Sequence, residues 1–387
     1  MVKRKIEKVL VAMSGGVDSS VAAALLKKAG YDVTGVFLHF WQDSSAAARG
    51  NGLAENKCCS AKALMDARRV CRRIGIKLYT LNFADIFKKE VVDDFLAEYA
   101  SGATPNPCVR CNKLVKLGRL VKYAKKLGFD YVASGHYARL RREIPNSKFQ
   151  IPKLKLCRAG DKEKDQSYFL YTLNQDELSC LLFPLGDYKK DEVRKLAKKF
   201  GLPTAEKKES QEICFISGKT HNDFLRRRLK MRKGKIRMLG GEVLGEHNGL
   251  PLYTIGQRKG VEIGGTGPYY VVERDYKTNT LYVVRNSNNP TLYSDKLVAN
   301  NVNWIADIEP KLPLKCEAVI RYRHKPVKCV VDKIGLNKTG LAHLRGGKFL
   351  KKMIYLVKFS ISQRAVTPGQ SIVFYRKNKV LGGGIIK

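Results

Sequence analysis

Between Lys8 and Gly135, short apolar runs alternate with stretches whose apolar residues recur every three or four positions. The runs Lys8 to Met13, Val33 to Leu38, Lys77 to Asn82 and Tyr131 to Ser134 have strand length. The periodic stretches near Ala61 to Ile74, Ile86 to Tyr99 and Lys113 to Leu127 predict helices, and Gly30, Gly75 and Gly128 stand where helices stop. Such alternation predicts an α/β domain with a doubly wound parallel sheet, in which ligands bind beyond the carboxyl ends of the strands. Two segments fall at that edge: Ser14-Gly15-Gly16-Val17-Asp18-Ser19-Ser20, directly after the first strand, and Ser134-Gly135-His136.

Further along, the pattern is less regular. Trp41 to Lys57 is polar and reads as a mobile loop ending in Cys58-Cys59, adjacent cysteines of structural character. Arg141 to Lys155 reads as a polar excursion, after which Lys164 to Tyr171 turns apolar again. Helical patterns follow at Asp176 to Leu182 and Lys190 to Phe200, then a loop from Pro203 to Ser210 and a basic helix from Asn222 to Lys230. From about Arg232 the helical period fades. Short β-branched runs recur between turn signals such as Leu239-Gly240-Gly241, Gly264 to Gly267 and Asn286 to Pro290. The expected organisation is a nucleotide-binding catalytic domain over residues 1–230, a small central β domain over 231–292 and a C-terminal β-barrel over 293–387.

Charge changes this picture more than length does. The 73 Lys and Arg outnumber the 35 Asp and Glu by 38, which points to a polyanionic partner. Ten cysteines scattered through 387 residues form no dense disulfide framework, so a reducing cytoplasm is expected. The basic Lys3-Arg4-Lys5 and the apolar run after it are broken by the polar loop at Ser14. They read as a first strand rather than a signal peptide, and no stretch reaches membrane-spanning length.

The chemistry starts at Ser14. A buried strand, paired glycines and a helix start make an anion cradle, because glycine backbone approaches a ligand closely and unpaired N–H groups attract phosphate oxygens. Asp18 replaces the lysine of a Walker A loop. Ser217-Gly218-Lys219-Thr220 imitates the end of such a loop, but Ile213 stands where its first glycine belongs. Cys108 and Cys111 lie in the proline-framed Thr104 to Asn112, with Arg110 between them and Lys113 just beyond. Nearby cations and a helix start predict stabilised thiolates there. A Cys-x-x-Cys pair also suits half a zinc site, a redox pair or part of an iron–sulfur site, although zinc lacks a second pair at suitable spacing. Cys214, within Ile213-Cys214-Phe215-Ile216, would in isolation be a small buried residue.

The glycine loop resembles the pyrophosphatase loop of ATP-dependent adenylating enzymes. Further stretches are Asn106 to Lys113, Gly135 to Ala138, Lys164 to Phe169, Ser210 to Phe215, Tyr253 to Gly260, Arg321 to Arg323 and Val366 to Gln370. With them, the chain resembles the bacterial tRNA-specific 2-thiouridylases over essentially its whole length. That resemblance implies ATP-dependent 2-thiolation of the wobble uridine 34. ATP with Mg²⁺ adenylates the C2 oxygen and releases pyrophosphate, a cysteine persulfide supplies sulfur, and AMP leaves. It implies ATP contacts from Ala12, Met13, Ser14, Gly15, Gly16, Val17, Asp18, Ser19, Leu38 and Gly135, with Asp18 near the metal. Cys214 matches the persulfide-bearing residue and Cys111 its nucleophilic partner, while Asn106, Pro107 and Cys108 match the segment facing the target base. His136, Lys164, Asp165, Gln166, Arg321, Tyr322 and Gln370 match tRNA-contacting positions.

The implied partners are a tRNA anticodon stem-loop and a persulfide carrier or cysteine desulfurase, acting on a monomer without membrane contact. Many family members have an aspartate where this chain has Cys108. Three thiols, Cys108, Cys111 and Cys214, could then hold a 4Fe-4S cluster; the spacing admits both routes and the persulfide is the one expected. Rearrangement of Pro203 to Cys214 on tRNA binding is expected too, because Cys111 and Cys214 must meet over one base. Two rivals explain less. An adenylating enzyme that makes an amide or amidine on a small molecule leaves the thiols and charge unexplained, and a non-catalytic RNA-binding module rests on charge alone. Release of AMP and pyrophosphate only with tRNA present separates all three.

Overall fold

The computed structural model describes residues 5–43, 59–143, 153–208, 213–216, 220–261, 263, 268–336 and 353–387. Cys58, most of the Trp41 to Lys57 loop, Ser210 to Glu212, Ser217 to Lys219 and the turn Gly264 to Gly267 lie outside the described residues.

Strand β1 (Lys8–Ala12) leads through the glycine loop into α1 (Val17–Lys28), β2 (Asp32–His39), α2 (Ala61–Ile74) and β3 (Lys77–Asn82). Val9 and Val11 are fully buried, as a central strand covered on both faces requires. Ser60 caps α2 by accepting the N–H of Ala63, and Gly75 closes it in the left-handed conformation at φ 68°. Next come α3 (Ala84–Phe87), a π-helical turn at Lys88–Val92 and α4 (Asp93–Ala100), longer at both ends than the helix expected from Ile86 to Tyr99. A second interrupted helix holds α5 (Pro107–Cys111), a π turn at Asn112–Lys116 and α6 (Gly118–Lys126). It starts six residues before the expected Lys113, because Asn106 caps it and Pro107 fits its first position.

After β4 (Tyr131–Ala133) come a hairpin of β5 (Arg139–Arg142) and β6 (Leu154–Cys157), then α7 (Gln175–Leu178), β7 (Leu181–Leu182), α8 (Lys190–Lys199) and α9 (His221–Arg228). The helix expected from Asp176 to Leu182 is a single turn. Leu181 and Leu182 instead pair with Val132 and Ala133, supplying a fifth strand and satisfying the backbone of β4. The sheet is parallel throughout, in the order β3-β2-β1-β4-β7. The chain order reverses between β1 and β4, which makes that gap the switch point where a ligand belongs.

Central strands β8 (Gly234–Met238), β9 (Val243–His247), β10 (Tyr270–Asp275) and β11 (Thr280–Val284) form a separate sheet, ordered β10-β11-β8-β9. Strands β12 (Tyr293–Trp304), β13 (Leu314–Val319), β14 (Val327–Leu336), β15 (Met353–Arg364), β16 (Ser371–Arg376) and β17 (Lys379–Ile386) close a six-stranded barrel through β12–β17 pairing. Its interior is a core of its own, in which Trp304 stacks on Phe374.

The stretch expected as a polar excursion carries the β5–β6 hairpin, and β6 adds to the barrel at β17: Cys157 faces Lys379, and Arg158 N–H donates to Asn378 O at 2.8 Å. Asn303 Nδ2 donates back to the carbonyls of Tyr171 and Leu173 at 2.7 and 3.0 Å. Thr104 N–H, just before α5, bonds Pro368 O at 2.8 Å. No helix among the described residues is long and apolar enough to cross a membrane.

Candidate functional site

Internal hydrogen bonds tie the glycine loop together. Ser14 N–H donates to Ser19 Oγ at 3.2 Å, while Ser19 Oγ and Ser20 Oγ donate to Gly16 O at 3.1 and 2.8 Å. Gly16 gives α1 no side-chain cap, so the first-turn N–H groups lack a capping side chain. Gly15 has φ +69°, and a Cβ there would sit 2.1 Å from Ala63 O, so this glycine serves packing on α2 as much as approach to a ligand. From the opposite bank, Gly135 lies so close that a Cβ would be 2.7 Å from Ser19 N.

Between these banks lies a cavity of about 180 Å³. Of the expected nucleotide contacts, Ala12, Met13, Ser14, Asp18, Ser19, Leu38 and Gly135 line it, and Phe40 adds to its apolar wall. Gly16 and Val17 line the adjoining cleft of about 520 Å³. Gly15 lines neither; its carbonyl accepts from Lys207 Nζ at 2.9 Å.

Asp18 points across the switch point. Lys190 Nζ lies 2.6 Å from its Oδ1, and the Tyr137 hydroxyl donates to the same oxygen at 2.8 Å. Sequence reasoning passed over Lys190. Its signal was a lysine in the first turn of a helix, where the dipole disfavours a cation.

The larger cleft brings the thiols together. Asn106 Oδ1 accepts Val109 N–H at 3.4 Å and Pro107 opens α5, which puts Cys108 and Cys111 three residues apart on one face. Cys214 arrives from the other side. It is placed by Phe215, whose buried ring packs against Phe87, Phe95 and Phe224 at 5.7, 5.3 and 5.7 Å. Pro107, Cys108, Cys111 and Cys214 line this cleft together with Ser14 and Asp18 of the glycine loop.

Burial works against the expected thiolates. Desolvation pushes the buried Cys111 up to about 12, against a lowering by Lys116; Cys108 is raised too, with Cys214 adding to the rise, but its side chain is exposed, so burial acts on it less than on Cys111. The cations expected to help are turned away. Arg110 Nε meets Asp94 Oδ2 at 2.7 Å and Glu90 O at 2.8 Å, and Lys113 Nζ meets Glu177 at 2.7 Å. Lys116, one turn further on, is the cation that acts on both thiols.

The residues expected to contact tRNA divide into two groups. Lys164, Gln166, His136 and Tyr322 line the cleft, joined by Arg323, which belongs to the matched stretch Arg321 to Arg323 but was not among the expected tRNA contacts. Gln166 is held by reciprocal bonds with the Tyr137 backbone at 3.0 and 2.8 Å. His136 Nδ1 lies 2.6 Å from Ser134 Oγ, and desolvation with Lys116 nearby lowers its pKa to about 3, so the ring is neutral. Asp165, Arg321 and Gln370 are outside this cleft and engaged in internal bonds. Asp165 accepts from Ala159 N–H and Ser167 N–H, and Arg321 donates to Ala365 O and Thr367 Oγ1, all at 3.0 to 3.1 Å. Gln370 Nε2 donates to Thr104 O at 2.8 Å, steadying the loop before Asn106 from the barrel.

Among the described residues, no three Cys, His, Asp or Glu side chains are placed to hold a metal ion. The three thiols share a cleft without forming such a group.

Residues 7–218 match the family described as the tRNA methyl transferase HUP domain, 222–285 the tRNA methyl transferase PRC-barrel domain, and 294–341 with 350–386 the aminomethyltransferase beta-barrel domain. The chain is 44% identical over 383 residues to the tRNA-specific 2-thiouridylase of Carboxydothermus hydrogenoformans, covering 98% of each chain. It is 43% identical over 385 residues to that of Legionella pneumophila, again with 98% of each covered. To that of Geobacillus thermodenitrificans it is 43% identical over 380 residues, covering 98% of this chain and 94% of the other.

Proposed function

This chain belongs to the tRNA-specific 2-thiouridylase family, and we propose on that premise that its cleft thiolates the wobble uridine 34 through a persulfide on Cys214. The protein is an ATP-dependent tRNA sulfurtransferase. The observation that supports the proposed route is the single cleft lined by the glycine loop, Cys111 and Cys214. Although the family descriptions speak of methyl transfer, a phosphate cradle beside paired thiols suits activation by ATP followed by sulfur transfer.

The C2 oxygen of uridine is a poor leaving group. Transfer of AMP to it, with pyrophosphate departing, turns it into phosphate ester oxygen. The first turn of α1 and the Ser14 to Ser19 loop bind the phosphates, while Met13, Leu38 and Phe40 offer an apolar wall for the base. Mg²⁺ accompanying ATP would be held at Asp18, and it supplies neutralisation of charge on the departing pyrophosphate.

The terminal sulfur of a Cys214 persulfide then attacks C2 and AMP leaves. The new C2–S–S–Cys214 linkage must lose its S–S bond by a two-electron step. Cys111 supplies the electron pair by attacking the Cys214 sulfur, which leaves a Cys111–Cys214 disulfide and thiouridine. For this Cys111 must give up its proton, and Lys116 is the cation placed to stabilise the thiolate. Lys164, Gln166, Tyr322 and Arg323 line the cleft on the side offered to the anticodon loop, where cations and a ring suit phosphates and a splayed base. A thiol reductant reopens the Cys111–Cys214 disulfide by thiol–disulfide exchange, and a persulfide carrier or a cysteine desulfurase then recharges the Cys214 thiol.

The test is Cys214→Ser, which is expected to abolish 2-thiouridine while tRNA affinity stays within about twofold. A variant that still makes 2-thiouridine removes the assigned role. Stoichiometric iron and labile sulfide, required for activity in anaerobically purified protein, would replace the persulfide route.

A further inference from the structure

The charges around the cleft are out of proportion to one acid. Among the described residues lining it, Asp18 alone is acidic, whereas Lys116, Lys164, Lys190, Lys207, Lys208 and Arg323 are cationic. Two of these lysines touch the nucleotide side itself. Lys190, 8% exposed, reaches the first turn of α1, with its Nζ 2.6 Å from Asp18 Oδ1. Lys207 reaches the glycine turn before it: its Nζ is 2.9 Å from Gly15 O and 2.6 Å from Asp66 Oδ2.

The stability of the fold alone does not account for the buried Lys190, and Lys207, partly exposed, joins it at the same cradle. A lysine is almost never buried without an anion, and a buried ion pair gives little more stability than well-packed apolar groups of similar volume. Lys190 also opens α8, against that helix's dipole. Both ammonium groups flank a cradle whose geometry already suits phosphate, in a cleft with a large cationic excess.

We infer that Lys190 and Lys207 are the cationic half of the pyrophosphate site, held on Asp18 and Asp66 when nucleotide is absent and turning to phosphate oxygens when it binds. Asp18 is thereby released to face the metal ion. The inference rests on the nucleotide reading of the glycine loop and adds to it two side chains from a different part of the chain. No covalent step is involved; two ammonium groups exchange carboxylate for phosphate.

The experiment is calorimetric titration of the full chain, without tRNA, with inorganic pyrophosphate in the presence of Mg²⁺, alongside a tRNA binding measurement. Lys190→Met and Lys207→Met are each expected to weaken pyrophosphate binding at least tenfold and to change tRNA affinity less than twofold. Lys207→Arg, which keeps the charge, is expected to retain affinity within about threefold. Lys207 keeps the inference falsifiable if Lys190→Met does not fold, because it is about one-third exposed and Asp66 retains Arg69 at 3.8 Å. Wild-type affinity in a folded Lys207→Met overturns the inference and leaves the nucleotide reading standing. A wild-type chain that binds neither pyrophosphate nor ATP overturns the nucleotide reading, and the inference falls with it.

Discussion

At Cys111 the two influences on a thiol oppose each other, and burial wins. Lys116 lowers its pKa, yet desolvation takes it from 9.0 to about 12. An ordinary thiol would then carry far more thiolate at neutral pH. In the protein without tRNA or ATP, alkylation of Cys111 by iodoacetamide is therefore expected to be slow at pH 7.5 and to rise about tenfold per pH unit up to at least pH 10. Peptide mapping of the labelled sites checks this, and rapid labelling at pH 7.5 would contradict it. The motif around Cys108 and Cys111 was legible in the sequence because residue types and spacing carry it. The identity of the helpful cation was not: Arg110 and Lys113 are nearer in sequence, but Asp94 and Glu177 claim them, and those carboxylates lie far away along the chain. Asp165, Arg321 and Gln370 show the same limit, since a motif match does not reveal which polar groups a fold uses internally.

Among the elements, the parallel sheet was readable because its largely buried strands β1, β2 and β4 announce themselves as apolar runs. Leu181 and Leu182 were not, since two leucines suit a helix end or a short strand equally, and the vacant edge of β4 decided the matter. The π turns at Lys88–Val92 and Asn112–Lys116 lie in the two interrupted helices that bring Val91 and Cys111 to the cleft, and a 3.6-residue period cannot forecast where a turn takes an extra residue. The glycine turn yields a paired prediction. Gly15→Ala would force a Cβ to 2.1 Å from Ala63 O at φ +69°, whereas at Gly30, with φ +90°, nothing lies within 4 Å. Denaturant unfolding is expected to show a loss of about 1 kcal/mol for Gly30→Ala and clearly more, about 2 kcal/mol or above, for Gly15→Ala. Equal losses would show that the approach to α2 is not what requires the first glycine.

For the whole molecule, an excess of 38 positive charges is the quantity to test. If Lys164, Arg323 and other surface cations meet tRNA phosphates, a log–log plot of affinity against salt falls steeply. A loss of at least about a hundredfold between roughly 50 and 200 mM corresponds to four or so contacts. A flat plot would assign the charge to some other purpose. The sequential order of the three structural units was visible from the change in periodicity near Arg232, but their interdigitation was not. It depends on single hydrogen bonds such as Gln370 to Thr104 and on β6 joining β17, for which no local pattern exists.

That last pairing sets an order of events during synthesis. The β5–β6 hairpin is translated with the nucleotide-binding half of the chain, but its neighbour β17 comes from the far end of the barrel. Until β17 is made, the outer edge of β6 is an unpaired strand next to a long run of chain still to come. The ribosome therefore delivers the glycine loop before it delivers the barrel that steadies the loop ahead of Cys108.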